Sequence, residues 1–69
     1  MTLGTDRVRL SFNPSANTDV ESIKQRAADC IDWCHSRADQ TDDPERRRLL
    51  SLAMTAFEEA AMWAVKAIT

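Results

Sequence analysis

Apolar residues recur every three or four positions through most of this chain, and the spacing is interrupted once, at residues 40–43. In the first segment five side chains carry it: Val20, Ile23, Ala27, Cys30 and Cys34. Because this is the spacing of one apolar stripe along an α-helix, it predicts a helix over residues 18–39. A second helix is predicted over residues 44–69, since Pro44 follows Asp43 as a proline at the first helical position follows an aspartate cap.

Residues 1–17 carry no such stripe. Their second half is a cluster of loop-forming residues around one aromatic, Ser11-Phe12-Asn13-Pro14-Ser15-Ala16-Asn17, which indicates an arm or loop. We expect this arm to end at residue 17 and the helix to start at Thr18, because Thr18 and Glu21 have the spacing of a capping box. Residues 1–69 are thus predicted to form one all-α domain. A short link at 40–43 between helices of similar length further predicts an antiparallel two-helix hairpin with an N-terminal arm.

Composition excludes several other classes of protein. One glycine, two prolines and no tyrosine leave too few turn and strand formers for a β-sandwich or barrel, and no glycine-rich phosphate loop. The net charge of −2 gives no basic field for generic DNA binding, so DNA is not an expected partner. No apolar run approaches the roughly 18 residues of a membrane span, and the N-terminus lacks the apolar core of a signal peptide. We therefore expect a cytoplasmic protein that contacts no membrane.

The second predicted helix has more apolar surface than one neighbouring helix can cover. A seam facing the first helix is predicted from six residues: Leu50, Ala53, Phe57, Ala60, Ala64 and Ala67. Further apolar residues flank this seam, with Leu49, Leu52, Ala56 and Trp63 on one side and Met54, Ala61, Val65 and Ile68 on the other. About 220° of the helix circumference is therefore apolar. Since this surface and the outward-pointing Trp33 would promote aggregation of a monomer, we predict a compact homo-oligomer.

The two cysteines and the histidine invite a metal-binding interpretation that their number does not support. Cys30 and Cys34 lie one helical turn apart, and His35 follows directly. Tetrahedral zinc needs a third and a fourth ligand, and both thiols fall on the apolar stripe, where a free cysteine packs as a small hydrophobic residue. With no carboxylate recognised at a spacing that would orient His35, a catalytic base is not expected either. We predict no metal, no cofactor and no enzymatic activity.

Two sets of cations are candidate anion-binding residues. Arg46, Arg47 and Arg48 occupy the first turn of the second helix, where the helix dipole disfavours positive charge. Neighbouring acidic residues would neutralise them locally. Alternatively, one or two of them, with the free amides of the helix start, would hold a phosphate. Lys24 is predicted on the flank of the first stripe, with its ammonium emerging at the margin of an interface, either as a ligand contact or as an ordinary surface lysine.

Phe12 is an aromatic residue that belongs to neither of the predicted apolar helix stripes. It either folds back to plug the hairpin or presents a face on which a planar ring stacks. In the second case Asn13 is able to read a base edge, and a lysine nearby would hold a phosphate. That combination suits a nucleotide.

Three stretches of the chain resemble one protein family. They are Ser11-Phe12-Asn13-Pro14-Ser15 before the first helix, Asp43-Pro44-Glu45 at the second, and the closing run Phe57-Glu58-Glu59-Ala60-Ala61-Met62-Trp63-Ala64-Val65-Lys66-Ala67. Together they resemble the bacteriophage anti-CBASS cyclic-nucleotide sponges, whose helical-hairpin domain also occurs in the Thoeris anti-defence sponges. The resemblance implies a hexamer of hairpins that sequesters cyclic dinucleotides, without degrading them, in the cytoplasm of an infected bacterium. Some members also hold cyclic trinucleotides at a separate symmetric site.

The resemblance also implies roles for individual residues. The family's base-stacking aromatic falls on Phe12, where phenylalanine keeps the stacking face of the frequent tyrosine without its hydroxyl. The phosphate-binding lysine falls on Lys24. The remaining candidate ligand contacts are Ser11, Asn13 and Pro14 in the loop, and Arg47 or Arg48 at the second helix. The competing interpretation is a small oligomeric interaction module that docks on another protein through its surplus apolar face and has no nucleotide ligand.

Overall fold

The computed structural model describes residues 2–11 and 17–69 of the chain. Within these ranges it contains no strand and has three α-helices, α1 over Leu3–Arg7, α2 over Thr18–Asp39 and α3 over Pro44–Ile68. The prediction of an all-α chain is therefore confirmed. Helix α2 packs against both of the others. None of these helices has the length and apolar character to span a membrane.

Helix α1 lies in the arm, where the sequence predicts no helix. It begins with a reciprocal cap, in which the Thr5 amide donates to Thr2 Oγ1 at 3.1 Å and the Thr2 amide donates to Thr5 Oγ1 at 2.9 Å. It ends in a Schellman motif: Arg9 adopts a left-handed φ of 54°, and the Leu10 amide donates to the carbonyl oxygen of Thr5. A helix of this length is not stable alone, so the caps and the contact with α2 must hold it. It is also too short to show an apolar stripe, which is why the interpretation of residues 1–17 as an arm or loop missed the helix over Leu3–Arg7.

The caps of the two long helices give one confirmed prediction and one correction. Asp43 accepts a 3.1 Å hydrogen bond from the Glu45 amide, and Pro44 begins α3, as predicted. Helix α2, however, is capped by Asn17, whose Oδ1 accepts from the amide two residues later at 2.8 Å. Thr18 is already helical, so it does not form the expected capping box. Asparagine is the stronger N-cap of the two residue types.

The core is a layer of apolar side chains between α2 and its neighbours. Its buried members are Val8, Val20, Ala27, Ala28, Ile31, Cys34, Met54 and Ala61. Cys34 is packed within this layer, in agreement with its interpretation as a structural residue. Its burial, with a smaller contribution from Cys30, raises the pKa of the Cys34 thiol.

Helix α3 meets the core through a row of residues that overlaps the predicted seam only in part. Leu50 and Ala53 belong to both. The α3 residues that pack in the core are Leu50, Ala53, Met54 and Ala61. Three members of the predicted seam are instead exposed: Phe57, Ala60 and Ala67. The helix is turned by about 50° from the predicted orientation. Because α3 is apolar over most of its circumference, spacing alone did not distinguish these neighbouring rows.

Candidate functional site

A groove of about 530 Å³ lies between the N-terminal arm and the C-terminal half of α3. We name it the α1–α3 groove. Its apolar lining consists of Val8, Ala61, Met62 and Val65. Its charged lining consists of Arg7, Arg9 and Lys24 on one side and Glu58 and Glu59 on the other. The groove thus joins an apolar surface to three cations, although the chain as a whole is acidic.

Lys24 is the most enclosed of these cations. Its side chain lies in the buried face of α2 with the residue only 7% exposed, and Nζ donates a 3.0 Å hydrogen bond to the carbonyl oxygen of Arg9. Burial first, and then the positive charge of Arg9, lowers the pKa of Lys24. The alternative of an ordinary surface lysine is therefore wrong, and the role of Lys24 as a ligand contact stays a prediction. The turn after α1 covers this part of α2. The burial of Lys24 therefore could not be predicted from the periodicity of α2 alone.

The geometry of the Arg9 turn explains how a carbonyl reaches Lys24. In the Schellman motif, the residue after the helix takes a left-handed conformation and the chain reverses direction. Arg9 takes this conformation without being a glycine, which is uncommon for a residue with a long side chain. The hydrogen bond from Lys24 holds the reversed backbone in place. The turn that ends α1 and the position of the Lys24 ammonium on α2 therefore depend on each other.

Arg7 connects the arm to α3 across the groove. Its Nη2 lies 3.2 Å from Glu58 Oε2 and 3.4 Å from Thr55 Oγ1. The Arg7 side chain is 25% exposed and that of Glu58 is 41% exposed. The other groove carboxylate, Glu59, instead accepts a 3.3 Å hydrogen bond from Trp63 Nε1. Two adjacent carboxylates in one groove therefore have different partners.

Of the four loop residues predicted to contact ligand, the structure describes one. Phe12, Asn13 and Pro14 lie outside the described residues. Ser11 is described and exposed, two residues beyond the Arg9 turn. The relation of the predicted stacking aromatic to Lys24 therefore stays a prediction.

The three consecutive arginines lie within the first two turns of α3, and none of them lines the groove. Arg47 Nε donates to the carbonyl oxygen of Thr41 at 2.8 Å, and Arg48 Nε donates to Glu45 Oε1 at 3.0 Å. Arg46 has a looser ion pair of 3.9 Å with the capping aspartate of the helix. Each guanidinium thus has a local acceptor, which is the arrangement expected of a locally neutralised turn.

The cysteine and histidine cluster carries no recognisable metal site. Across residues 2–11 and 17–69, no three His, Cys, Asp or Glu side chains come together as metal ligands would. One correction concerns His35, which was predicted to have no carboxylate partner. Its Nε2 lies 3.7 Å from Asp39 Oδ2, one helical turn further on. Both groups are largely exposed, so the pair is a weak surface contact.

Helix α3 carries a second apolar face, centred about 120° around the helix from the row that packs in the core. We name this face the outer row; it consists of Leu49, Leu52, Ala56, Ala60, Trp63 and Ala67, all exposed. Their steps of three and four residues place them about 150° around the helix from Met54. Trp33 of α2 is likewise 58% exposed, with the Arg37 guanidinium 5.2 Å from its ring centroid. An apolar row of this length on a helix surface is typical of a contact face.

Sequence reasoning missed Arg7, Arg9 and Glu58 as site residues. A signal for the first two was present, since Thr2 and Thr5 have the three-residue spacing of a reciprocal cap. A helix predicted from that cap would have placed two arginines in its last turn and just beyond it. Glu58 had no signal of its own, because its role depends on which side chain faces it from the arm.

Comparison with known proteins identifies a family for this chain. Residues 4–69 match the family model described as "Acb2/Tad1, hairpin domain". The match therefore spans both sides of the groove and the outer row of α3. No curated protein and no solved structure matches the chain significantly.

Proposed function

Because the chain belongs to the Acb2/Tad1 hairpin-domain family of anti-CBASS and anti-Thoeris sponges, we propose that it binds cyclic oligonucleotide second messengers and sequesters them. Cyclic dinucleotides are the first expected ligands. Sequestration takes place in the cytoplasm of the bacterial host and leaves the messenger chemically intact. The host's CBASS-type defence is then deprived of its signal. Family membership supports binding rather than hydrolysis as the activity.

The α1–α3 groove supports this proposal through its chemistry. A cyclic dinucleotide presents two anionic phosphodiesters and two planar bases. The Lys24 ammonium, enclosed beside the groove and held by the Arg9 carbonyl, is the observation that carries the proposal. In such surroundings a charge-assisted hydrogen bond to phosphate is stronger than at an open surface. The neighbouring apolar lining suits the base.

Phe12 is proposed to stack on a base, with its neighbours completing the contact. Only two residues separate it along the chain from Arg9, whose carbonyl binds Lys24. Stacking on an aromatic ring is worth about 1–3 kcal/mol per base and does not require a hydroxyl. Asn13 would read a base edge, and Ser11 and Pro14 would shape the loop around it.

The outer row of α3 supports self-association of the hairpins. Lys24, early in α2, lines the same groove as Val65, late in α3, which favours an antiparallel hairpin. In that hairpin one face of α3 is used by the core, and the outer row is left for a second copy. We propose a compact homo-oligomer, with a hexamer implied by the resemblance. A site at a two-fold axis would then offer paired Phe12 and Lys24 residues to a ligand of matching symmetry.

A separate site for cyclic trinucleotides is the remaining part of the proposal. It would use Asn13 and Pro14 with Arg47 or Arg48. Because each of these arginines has a local acceptor in the ligand-free chain, a phosphate would have to replace that acceptor.

Thermal unfolding with a panel of cyclic dinucleotides and trinucleotides tests the proposal. A ligand that binds only the folded state raises the midpoint of unfolding. Linear dinucleotides of the same bases are the control. Ligand released from the heated complex should be unchanged by chromatography, since no hydrolysis is proposed. If no member of the panel shifts the midpoint at millimolar concentration, the interaction-module interpretation is favoured instead.

A further inference from the structure

The ion pair between Arg7 and Glu58 stands where an anionic ligand would enter the α1–α3 groove. Both side chains line the groove together with Lys24. Arg7 Nη2 is 3.2 Å from Glu58 Oε2, and both side chains are partly exposed to solvent. Arg7 therefore reaches the groove with a carboxylate already bound to it.

We propose that Glu58 is an internal competitor for the anion-binding position at Arg7, and that a ligand phosphate displaces it on binding. This inference rests on the proposed function and concerns the regulation of affinity at the same groove. A carboxylate oxygen and a phosphate oxygen accept the same hydrogen bonds from a guanidinium. Binding therefore exchanges one anion for another at Arg7. Only the difference between the free energies of the Arg7–phosphate and Arg7–Glu58 interactions contributes to affinity. A ligand gains more if it also reaches Lys24 and the apolar lining.

The partial exposure of the pair makes such an exchange feasible. An ion pair that stays in contact with water contributes little net stability, because solvent screens the attraction. Displacing Glu58 therefore carries a small penalty, and the released carboxylate is hydrated where it lies. The hydrogen bond from Arg7 to Thr55 Oγ1 keeps the guanidinium directed at the groove.

Glu59 supplies a matched control within the same groove. It carries the same charge as Glu58 and lines the same groove, but it accepts its hydrogen bond from Trp63 Nε1. Neutralising Glu59 removes one negative charge near the ligand while leaving the Arg7 pair in place. Any effect of Glu58→Gln beyond that of Glu59→Gln is therefore specific to the release of Arg7.

Calorimetric titration of the full chain with cyclic di-AMP, and separately with inorganic pyrophosphate, tests the inference. Glu58→Gln should bind either probe about threefold more tightly than Glu59→Gln, with the difference decreasing at high salt. Arg7→Gln should weaken binding more in the Glu58→Gln background than in the parent. Equal affinities of the two glutamine variants, or an Arg7→Gln effect that is the same in both backgrounds, would overturn the inference.

The two probes separate this inference from the proposed function. If the parent fails to bind any cyclic dinucleotide, the sponge function is wrong for this groove, and pyrophosphate alone decides the role of Glu58. If cyclic di-AMP binds but the Glu58→Gln and Glu59→Gln variants have equal affinities for both probes, the proposed function stands and the inference fails. Circular dichroism checks the fold of each variant. Arg7→Met, which keeps a long side chain without the charge, replaces Arg7→Gln if the latter unfolds.

Discussion

Gly4 lies so close to Ala28 that a β-carbon on the glycine would clash with the alanine carbonyl oxygen. The Gly4 amide also donates a 2.7 Å hydrogen bond to Asp32 Oδ1. These two contacts hold α1 on α2. They determine where the following turn lies, and so where the Arg9 carbonyl meets Lys24.

We expect Gly4→Ala to separate α1 from α2, because the obstructing atom belongs to helix backbone and cannot move aside. Overpacking of this kind typically lowers stability by about 1–3 kcal/mol. Thermal unfolding measures the loss, and hydrogen exchange should show faster exchange at the α1 amides. Asp6→Ala, at an exposed position of the same helix, should leave both unchanged. Unaltered exchange in Gly4→Ala would contradict the described packing.

Lys24→Met should separate binding from stability. The methionine removes a buried charge, which favours the folded state, and also removes the hydrogen bond to the Arg9 carbonyl, which opposes it, so the unfolding temperature should stay close to that of the parent. Binding of a cyclic dinucleotide should weaken by about tenfold or more, since a charged hydrogen bond to phosphate is lost. Calorimetry and thermal unfolding on the same samples give both quantities. Undiminished binding would remove Lys24 from the site.

The stability difference between Lys24→Met and the parent should depend on pH. The pKa of Lys24 in the folded chain lies below its ordinary value of 10.5. Between the two values the unfolded parent binds more protons than the folded parent, so parent stability rises with pH there. The stability of Lys24→Met relative to the parent should therefore be highest at neutral pH and fall as pH approaches 10.5. Urea unfolding at several pH values measures this difference, and a relative stability that rises with pH would refute the assignment.

Phe12→Ala should weaken cyclic dinucleotide binding by about tenfold or more, the scale of one lost stack, with the oligomer intact. Phe12→Tyr should retain binding, because it keeps the ring. Phe12→Leu keeps apolar volume without the ring, so it should bind weakly if the residue stacks. Calorimetry and light scattering together provide the readout. Dissociation or unfolding of Phe12→Ala would support the plug interpretation instead.

Ala60→Glu should disrupt self-association, since it places a charge in the middle of the outer row of α3. We expect the parent to be an oligomer at micromolar concentration and the variant to have a lower mass by light scattering. Ser51→Glu is the control, because Ser51 is exposed on the same helix but outside the outer row. A parent of monomer mass would rule out the proposed assembly.

Cys30 and Cys34 should differ in their reaction with iodoacetamide. Cys34 is buried, and the pKa of its thiol is raised, so it forms little thiolate near pH 8. Mass spectrometry of the folded chain should find Cys30 modified first. Denaturant should make both accessible. Equal modification in the folded state would show that Cys34 is not packed as described.

The sequence by itself determined the helical class and the position of the turn between the long helices. Both depend on local physics: apolar spacing specifies a helix, and Asp43 with Pro44 specifies where one begins. The family resemblance was also accessible, because it rests on runs of consecutive residues, and the family match over residues 4–69 agrees with it.

Only the tertiary structure decided the packing of these elements. Helix α1 is too short to show a stripe, and it persists because Gly4 allows close contact with α2. Because α1 packs there, Lys24 is buried, although its position on α2 predicted a residue at the flank of the stripe. The same packing brings Arg7 to Glu58. The row of α3 that enters the core was likewise undetermined, because several rows of that helix are apolar. Which residues meet across a groove depends on how two separate elements are placed relative to each other. The spacing of residues within either element gives no information about that placement.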